Sequence, residues 1–184
     1  MTPAPHLQLD LVDRFGSRVG LRLQPGMNVA IIGVDGAGKS TLVASLAKSL
    51  DEAGIPNETF HSFRKFENAF IVPFRCARNS FQRKAVHIYD RSIFDNISKW
   101  IQASRRRKTP IIDAFLQLLL KIVNLFYYHF SYIIHLTAPI PAILDRRPEI
   151  TPTEAGIAQE VYAQLDCILK IAPLDTVTVE VIDR

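Results

Sequence analysis

At 184 residues, with 48% hydrophobic and 22% charged side chains, the chain suits one domain with a sizeable core and does not read as disordered. Two cysteines, Cys76 and Cys167, exclude a disulfide framework, and the opening MTPAPHLQLD has no basic start or apolar run, so a cytoplasmic protein is expected. The net charge of +4 is uneven: twelve Lys and Arg oppose three acids between His61 and Lys108, a surplus that attracts anions of any size.

Residues 7–23 alternate apolar and polar about Gly16, which predicts a β-hairpin with Leu7, Leu9, Leu11, Val19, Leu21 and Leu23 on one face. Pro25-Gly26 ends it. Met27 to Ile32 is a short continuous apolar run, as in a buried strand, and helical spacing follows from Ser40 to Ala53, with Gly54 as the stop. Further buried strands are expected at Glu58–Phe63, Ala85–Tyr89, Tyr132–Leu136 and Thr176–Ile182. Thr109-Pro110 opens a helix to about Phe130, and Thr151-Pro152-Thr153-Glu154 fits a capping box that opens another to about Ile171. On the first of these, Asp113, Gln117, Lys121 and Asn124 fall on one narrow stripe, predicted to be the wet edge of an otherwise apolar helix. Strands alternating with helices imply an α/β fold with a mainly parallel sheet. His87 and His135, inside apolar strands, and both cysteines read as packing residues.

Residues 33–40 are Gly33-Val34-Asp35-Gly36-Ala37-Gly38-Lys39-Ser40, with Thr41 following. This is G-x-x-x-x-G-K-[ST], after a predicted strand and before a predicted helix, the pattern of a phosphate-binding P-loop. Phosphate oxygens need several inward-pointing backbone N–H groups, and a helix N-terminus adds partial positive charge. Lys39 is expected to reach the β and γ phosphates of ATP, and Ser40 to offer its hydroxyl to Mg²⁺. No glycine occurs between Gly54 and Gly156, so neither the glycine-rich signature of an ABC-type ATPase nor the Asp-x-x-Gly turn of a GTPase can be placed there. What does occur is Asp90-Arg91-Ser92 at the end of a predicted strand: a carboxylate that can hold Mg²⁺ or accept a proton, beside a cation that can meet a phosphate.

On GVDGAGKST at 33–41, Asp90-Arg91, and Arg146-Arg147 after the strand at Tyr132–Leu136, the chain resembles the thymidylate kinase-like family of nucleoside and nucleotide kinases. The resemblance spans roughly residues 27–182. It divides the chain into a hairpin extension over 1–26 and a P-loop kinase-like domain over 27–184, one domain overall. It implies a three-layer sandwich with a five-stranded parallel sheet, ATP and Mg²⁺ as cofactors, and a small phosphate acceptor. Asp35 would face the acceptor, Asp90 and Arg91 would serve its phosphate and the metal, and Arg146 and Arg147 would form a lid over the ATP phosphates. Two departures stand out: Ser92 follows Asp90-Arg91 where thymidylate kinases usually carry Tyr, and His61-Ser62-Phe63-Arg64 replaces their Arg-Glu-Pro-type turn. A homodimer built on the apolar helix after Pro110 is also implied.

The leading expectation is therefore a Mg·ATP-dependent phosphotransferase. The alternative is an ATP-binding regulatory or ABC-like module docking on nucleic acid or membrane through the basic segment, above all Arg105–Lys108. A polynucleotide 5′-hydroxyl kinase would combine both features.

Overall fold

The computed structural model describes residues 6–12, 18–61, 71–126, 130–169 and 175–180. The expected strand ends at Phe63 and Ile182 and the helix end at Ile171 lie outside them. Two strands, β1 (Leu7–Val12) and β2 (Arg18–Leu23), pair antiparallel, with Leu7 opposite Leu23, Leu9 opposite Leu21 and Leu11 opposite Val19. Residues directly opposite share a face, so Leu7, Leu21 and Leu23 lie on one side of the pair as predicted.

The second sheet comprises β3 (Asn28–Gly33), β4 (Asn57–His61), β5 (Val86–Asp90), β6 (Tyr132–Thr137) and β7 (Asp175–Glu180) in the order β4-β5-β3-β6-β7. Its pairings are all parallel. Six helices connect and cover it: α1 (Lys39–Glu52), α2 (Val72–Gln82), α3 (Ile93–Arg106), α4 (Pro110–Phe126), α5 (Ile140–Arg146) and α6 (Pro152–Leu169). From β3 the chain steps over β5 to β4 through α1, then reverses direction through the remaining helices. Right-handed crossovers therefore send α1 to one face and the later helices to the other.

The alternating side chains of β3 confirm the division. Val29 and Ile31 join Val43, Leu46 and Leu50 of α1, together with Leu21 and Leu23 of the hairpin. Ala30 and Ile32 join Val72 of α2, Phe94 and Ile97 of α3, and Val161 and Leu165 of α6. Leu21 and Leu23 are only 1% and 0% exposed, so β2 is a wall of the core on the α1 face. The Tyr132 hydroxyl donates to the Arg22 carbonyl at 3.3 Å and ties hairpin to sheet.

Cys76 and the central histidines His87 and His135 pack as expected, whereas Cys167, on the outer side of α6, is exposed and does not. Cys76 is buried, and burial pushes its thiol up to about 12. The predicted capping box forms at α6: Thr151 N donates to Glu154 at 3.0 Å and Glu154 N to the Thr151 hydroxyl at 3.2 Å.

The first half of helix α4 departs from its expected orientation. Asp113 receives Arg105 at 3.4 Å and Gln117 donates to Gln164 at 2.9 Å, so these two residues of the polar stripe face α3 and α6, while Lys121 is exposed. Ile111, Phe115 and Leu118 instead point outward, 85%, 62% and 55% exposed. The basic segment is corrected as well: Arg105 and Arg106 belong to the last turn of α3 and pair with Glu160 at 3.1 Å and Glu154 at 3.0 Å. Two of its four cations are thus spent on internal acids.

Candidate active site

The loop after β3 is shaped by its glycines. Gly33 has φ 145°, and a Cβ there would sit 2.2 Å from the Leu136 carbonyl oxygen of β6, so any side chain would collide with the sheet. Gly38, at φ 93°, is the N-cap of α1 and has no side chain to cap it. The first intrahelical bond runs from Leu42 N to Gly38 O at 3.0 Å, which leaves the amides of Lys39, Ser40 and Thr41 without helical acceptors. Ser40 and Thr41 are exposed at this end. A helix start with open amides behind a glycine turn is an anion cradle. Ala37 is buried beneath it and donates its N–H to Val34 O at 3.1 Å. Lys39 is only 6% exposed; its ammonium lies 2.7 Å from Gly33 O, 3.0 Å from Val34 O and 3.4 Å from Asp35.

Parallel pairing of β3 with β5 sets Ile31 opposite Asp90, which brings the two strand ends together. Ser40 donates its hydroxyl to Asp90 Oδ2 at 2.9 Å, and His61 Nδ1, from the end of β4, approaches the same oxygen at 3.1 Å. Asp90 Oδ1 is buried without a hydrogen-bond partner. An orphaned carboxylate oxygen beside a hydroxyl, facing a phosphate cradle, fits Mg²⁺, which takes hard oxygens and keeps waters and phosphates for its remaining positions. Among the described residues no larger His/Cys/Asp/Glu cluster suits a metal ion.

Arg91 adopts φ 86°, a left-handed conformation that a long side chain rarely accepts outside sites where the surroundings impose it. Its guanidinium lies 3.3 Å from Asp35 Oδ1, while Lys99 of α3 reaches Asp35 Oδ2 at 2.9 Å. Burial opposes ionisation of Asp35, yet Lys39, Lys99 and Arg91 together outweigh it and bring the carboxyl down to about 2.

Asp95 joins three elements. Its carboxylate accepts from Ser92 N at 2.9 Å, closing the capping box of α3, from Gly33 N at 3.4 Å, and from the Tyr162 hydroxyl of α6 at 2.8 Å. It is 2% exposed, and burial raises its pKa. Tyr162 stacks on His135, which bonds Asp166 at 2.7 Å.

Arg146 and Arg147 close over the loop from the end of α5. Arg146 donates to Gly36 O at 3.1 Å, and the Arg147 chain passes so close to Gly36 that a Cβ there would lie 3.1 Å from its Cγ. The Arg147 guanidinium pairs with Glu149. Between these arginines, α3 and α6 lies a cleft of about 390 Å³, lined in part by Asp35, Lys99, Arg106, Arg147 and Tyr162. The expected residues of the P-loop, Asp90-Arg91 and Arg146-Arg147 thus converge at one end of the sheet. Arg83, one of the cations of the basic stretch between His61 and Lys108, lies elsewhere: its side chain packs on Gly26, at the opposite end of β3. Lys99, His61, Asp95 and Tyr162 were not among the expected residues. Asp95 had a local signal, the Ser-x-x-acid spacing of a capping box; Tyr162 had none.

No family model matches the chain, and no curated protein matches it. Among solved structures it resembles deoxyadenosine kinase from M. mycoides. The dCTP-bound form matches at TM-score 0.55 and 17% identity, covering 84% of this chain and 90% of that one. The dATP-bound form matches at 0.54 and 18%, covering 83% and 90%. The form with products dCMP and a flexible dCDP matches at 0.54 and 16%, covering 83% and 90%. At such identities the likeness is one of fold: this chain shares the α/β architecture, parallel sheet included, of a nucleotide-binding kinase.

Proposed function

We propose that the chain is an ATP-dependent phosphotransferase, thymidylate kinase-like, which carries the γ-phosphate of ATP to a nucleotide, a nucleoside or another small acceptor in the cytoplasm. The observation that carries this reading is the meeting of Ser40 and Asp90, 2.9 Å apart beside the cradle, with the second Asp90 oxygen buried and unpartnered. A shared fold with a kinase supports it, as does the cleft beside Asp35, which a mere nucleotide-binding module does not need.

In this reading the amides from Gly33 to Thr41 hold the phosphates, and Lys39 exchanges its loop carbonyls for the β and γ oxygens. Mg²⁺, held by Ser40 and Asp90, would neutralise phosphate charge. Asp90 orients or deprotonates the acceptor hydroxyl, with His61 fixing the carboxylate. Arg91, Arg146 and Arg147 offset the charge that spreads over the transferring group, since phosphoryl transfer depends on positioning and electrostatic stabilisation. Asp35 faces the acceptor. The outward face of α4 is the surface we assign to a second copy of the chain.

The test is a screen of nucleosides, nucleotides and sugars with purified protein, Mg²⁺ and labelled ATP. Lys39→Ala is expected to lose transfer to any acceptor found while keeping its far-ultraviolet circular dichroism. Wild-type turnover by that variant would refute the reading.

A further inference from the structure

We propose that Asp95 and Tyr162 are positioning residues that join the phosphate cradle to the acceptor side of the cleft, so that nucleotide bound at the loop is felt along α3 and α6. The inference rests on the kinase reading above. Its basis is a single buried carboxylate shared by three elements. Gly33 is the residue at which β3 becomes the phosphate loop, Ser92 follows the strained Arg91, and Tyr162 lines the cleft. A buried carboxylate left with an unmatched donor is costly, so the three partners have to move together or exchange partners.

The geometry gives the link a direction. Asp95 Oδ1 serves two donors unequally, the Tyr162 hydroxyl at 2.8 Å and Gly33 N at 3.4 Å. Phosphate drawn into the cradle pulls on the Gly33 amide and shifts the balance at that oxygen. Tyr162 cannot follow freely, because its ring is stacked on His135, with centroids 5.4 Å apart, and His135 is itself anchored by Asp166. The displacement passes instead into α3, whose first turn Asp95 and Ser92 close. Four residues beyond Asp95, the same helix carries Lys99, which grips Asp35. Loading of the cradle and the setting of the acceptor-side cations are thereby one mechanical event. Val34, the loop residue next to Gly33, lines the cleft together with Tyr162 and also a second cavity of about 300 Å³ behind it. That space gives the loop room to shift.

The chain's one tryptophan, Trp100, follows Lys99 on α3 and is 36% exposed, a built-in reporter. Full-length protein is titrated with the magnesium complex of a non-hydrolysable ATP analogue, following heat and Trp100 emission together. In the wild type both signals are expected to share one midpoint. Tyr162→Phe keeps the ring and its stacking but loses the hydroxyl; it should bind with Kd changed less than about threefold and lose more than half of the emission change. Asp95→Asn should weaken binding about fivefold and lose the emission change as well. Full emission amplitude in Tyr162→Phe overturns the proposal, and so does wild-type heat without any emission change. Tyr162→Phe decides the matter alone if Asp95→Asn does not fold. Absence of heat in the wild type would instead sink the kinase reading, and this inference with it.

Discussion

Asp35 shows how little a residue type says without its neighbours. A lone half-buried carboxylate drifts upward in pKa, but three cations hold this one at about 2. Because the folded value lies below the unfolded one, its stabilising contribution is complete above about pH 4 and is lost as pH falls towards 2. Asp35 therefore stays ionised throughout the neutral range and cannot supply the acid limb of a pH–rate profile. Asp35→Asn is expected to lower kcat/KM for the acceptor about tenfold without moving the profile between about pH 5 and 9. A shift of the acid limb in that variant would contradict the ion-pair assignment. Asp90→Asn leaves Ser40 and His61 with a weaker acceptor and should reduce kcat by at least about a hundredfold, with ATP affinity altered far less.

At the scale of elements, α4 is the informative case. Its periodicity was legible in the residues, but periodicity gives two faces and not which of them is inside. Arg105 and Gln164 on neighbouring helices supply partners for Asp113 and Gln117, and that decides it: polar groups with partners can be turned inward. The cost is an outward stripe of Ile111, Phe115 and Leu118. An apolar stripe of this kind marks an interaction surface. Phe115→Glu is expected to convert a dimer into a monomer by light scattering, leaving the thermal midpoint of the monomer within a few degrees. A wild type that is monomeric at high concentration would remove the homodimer proposal. The basic segment teaches the same lesson, since Arg105 and Arg106 find acids far away in sequence, on α6. Four consecutive cations looked like a docking loop only while those acids were out of view.

For the whole molecule, the hairpin matters more than its position at the start of the chain implies. The reversal of chain direction at β4 leaves α1 as the only helix on its face of the sheet among the described residues, and β2 covers part of what remains. Leu23→Ala should destabilise the entire domain by about 2–5 kcal/mol, the range for an unrelaxed cavity at a fully buried leucine. Chemical denaturation followed by Trp100 emission checks this, because the reporter lies on α3 and senses only global loss. An early transition in far-ultraviolet circular dichroism that leaves Trp100 emission unchanged would show that the hairpin folds as an appendage.

The local chemistry was determined by the sequence alone. The P-loop, the strand-end Asp90-Arg91, the Arg146-Arg147 pair, the hairpin register and the α6 capping box all rest on residues within a few positions of one another, where backbone geometry leaves few alternatives. Only the tertiary structure decided what depends on partners distant in the chain. It brought Lys99 to Asp35, Tyr162 to Asp95 and His61 to Asp90, turned Asp113 and Gln117 of α4 inward, and built β2 into the core. The physical reason is that a polar or apolar side chain has no preferred direction of its own; its burial is settled by the groups that meet it, and those are chosen by the packing of the whole sheet and its helices.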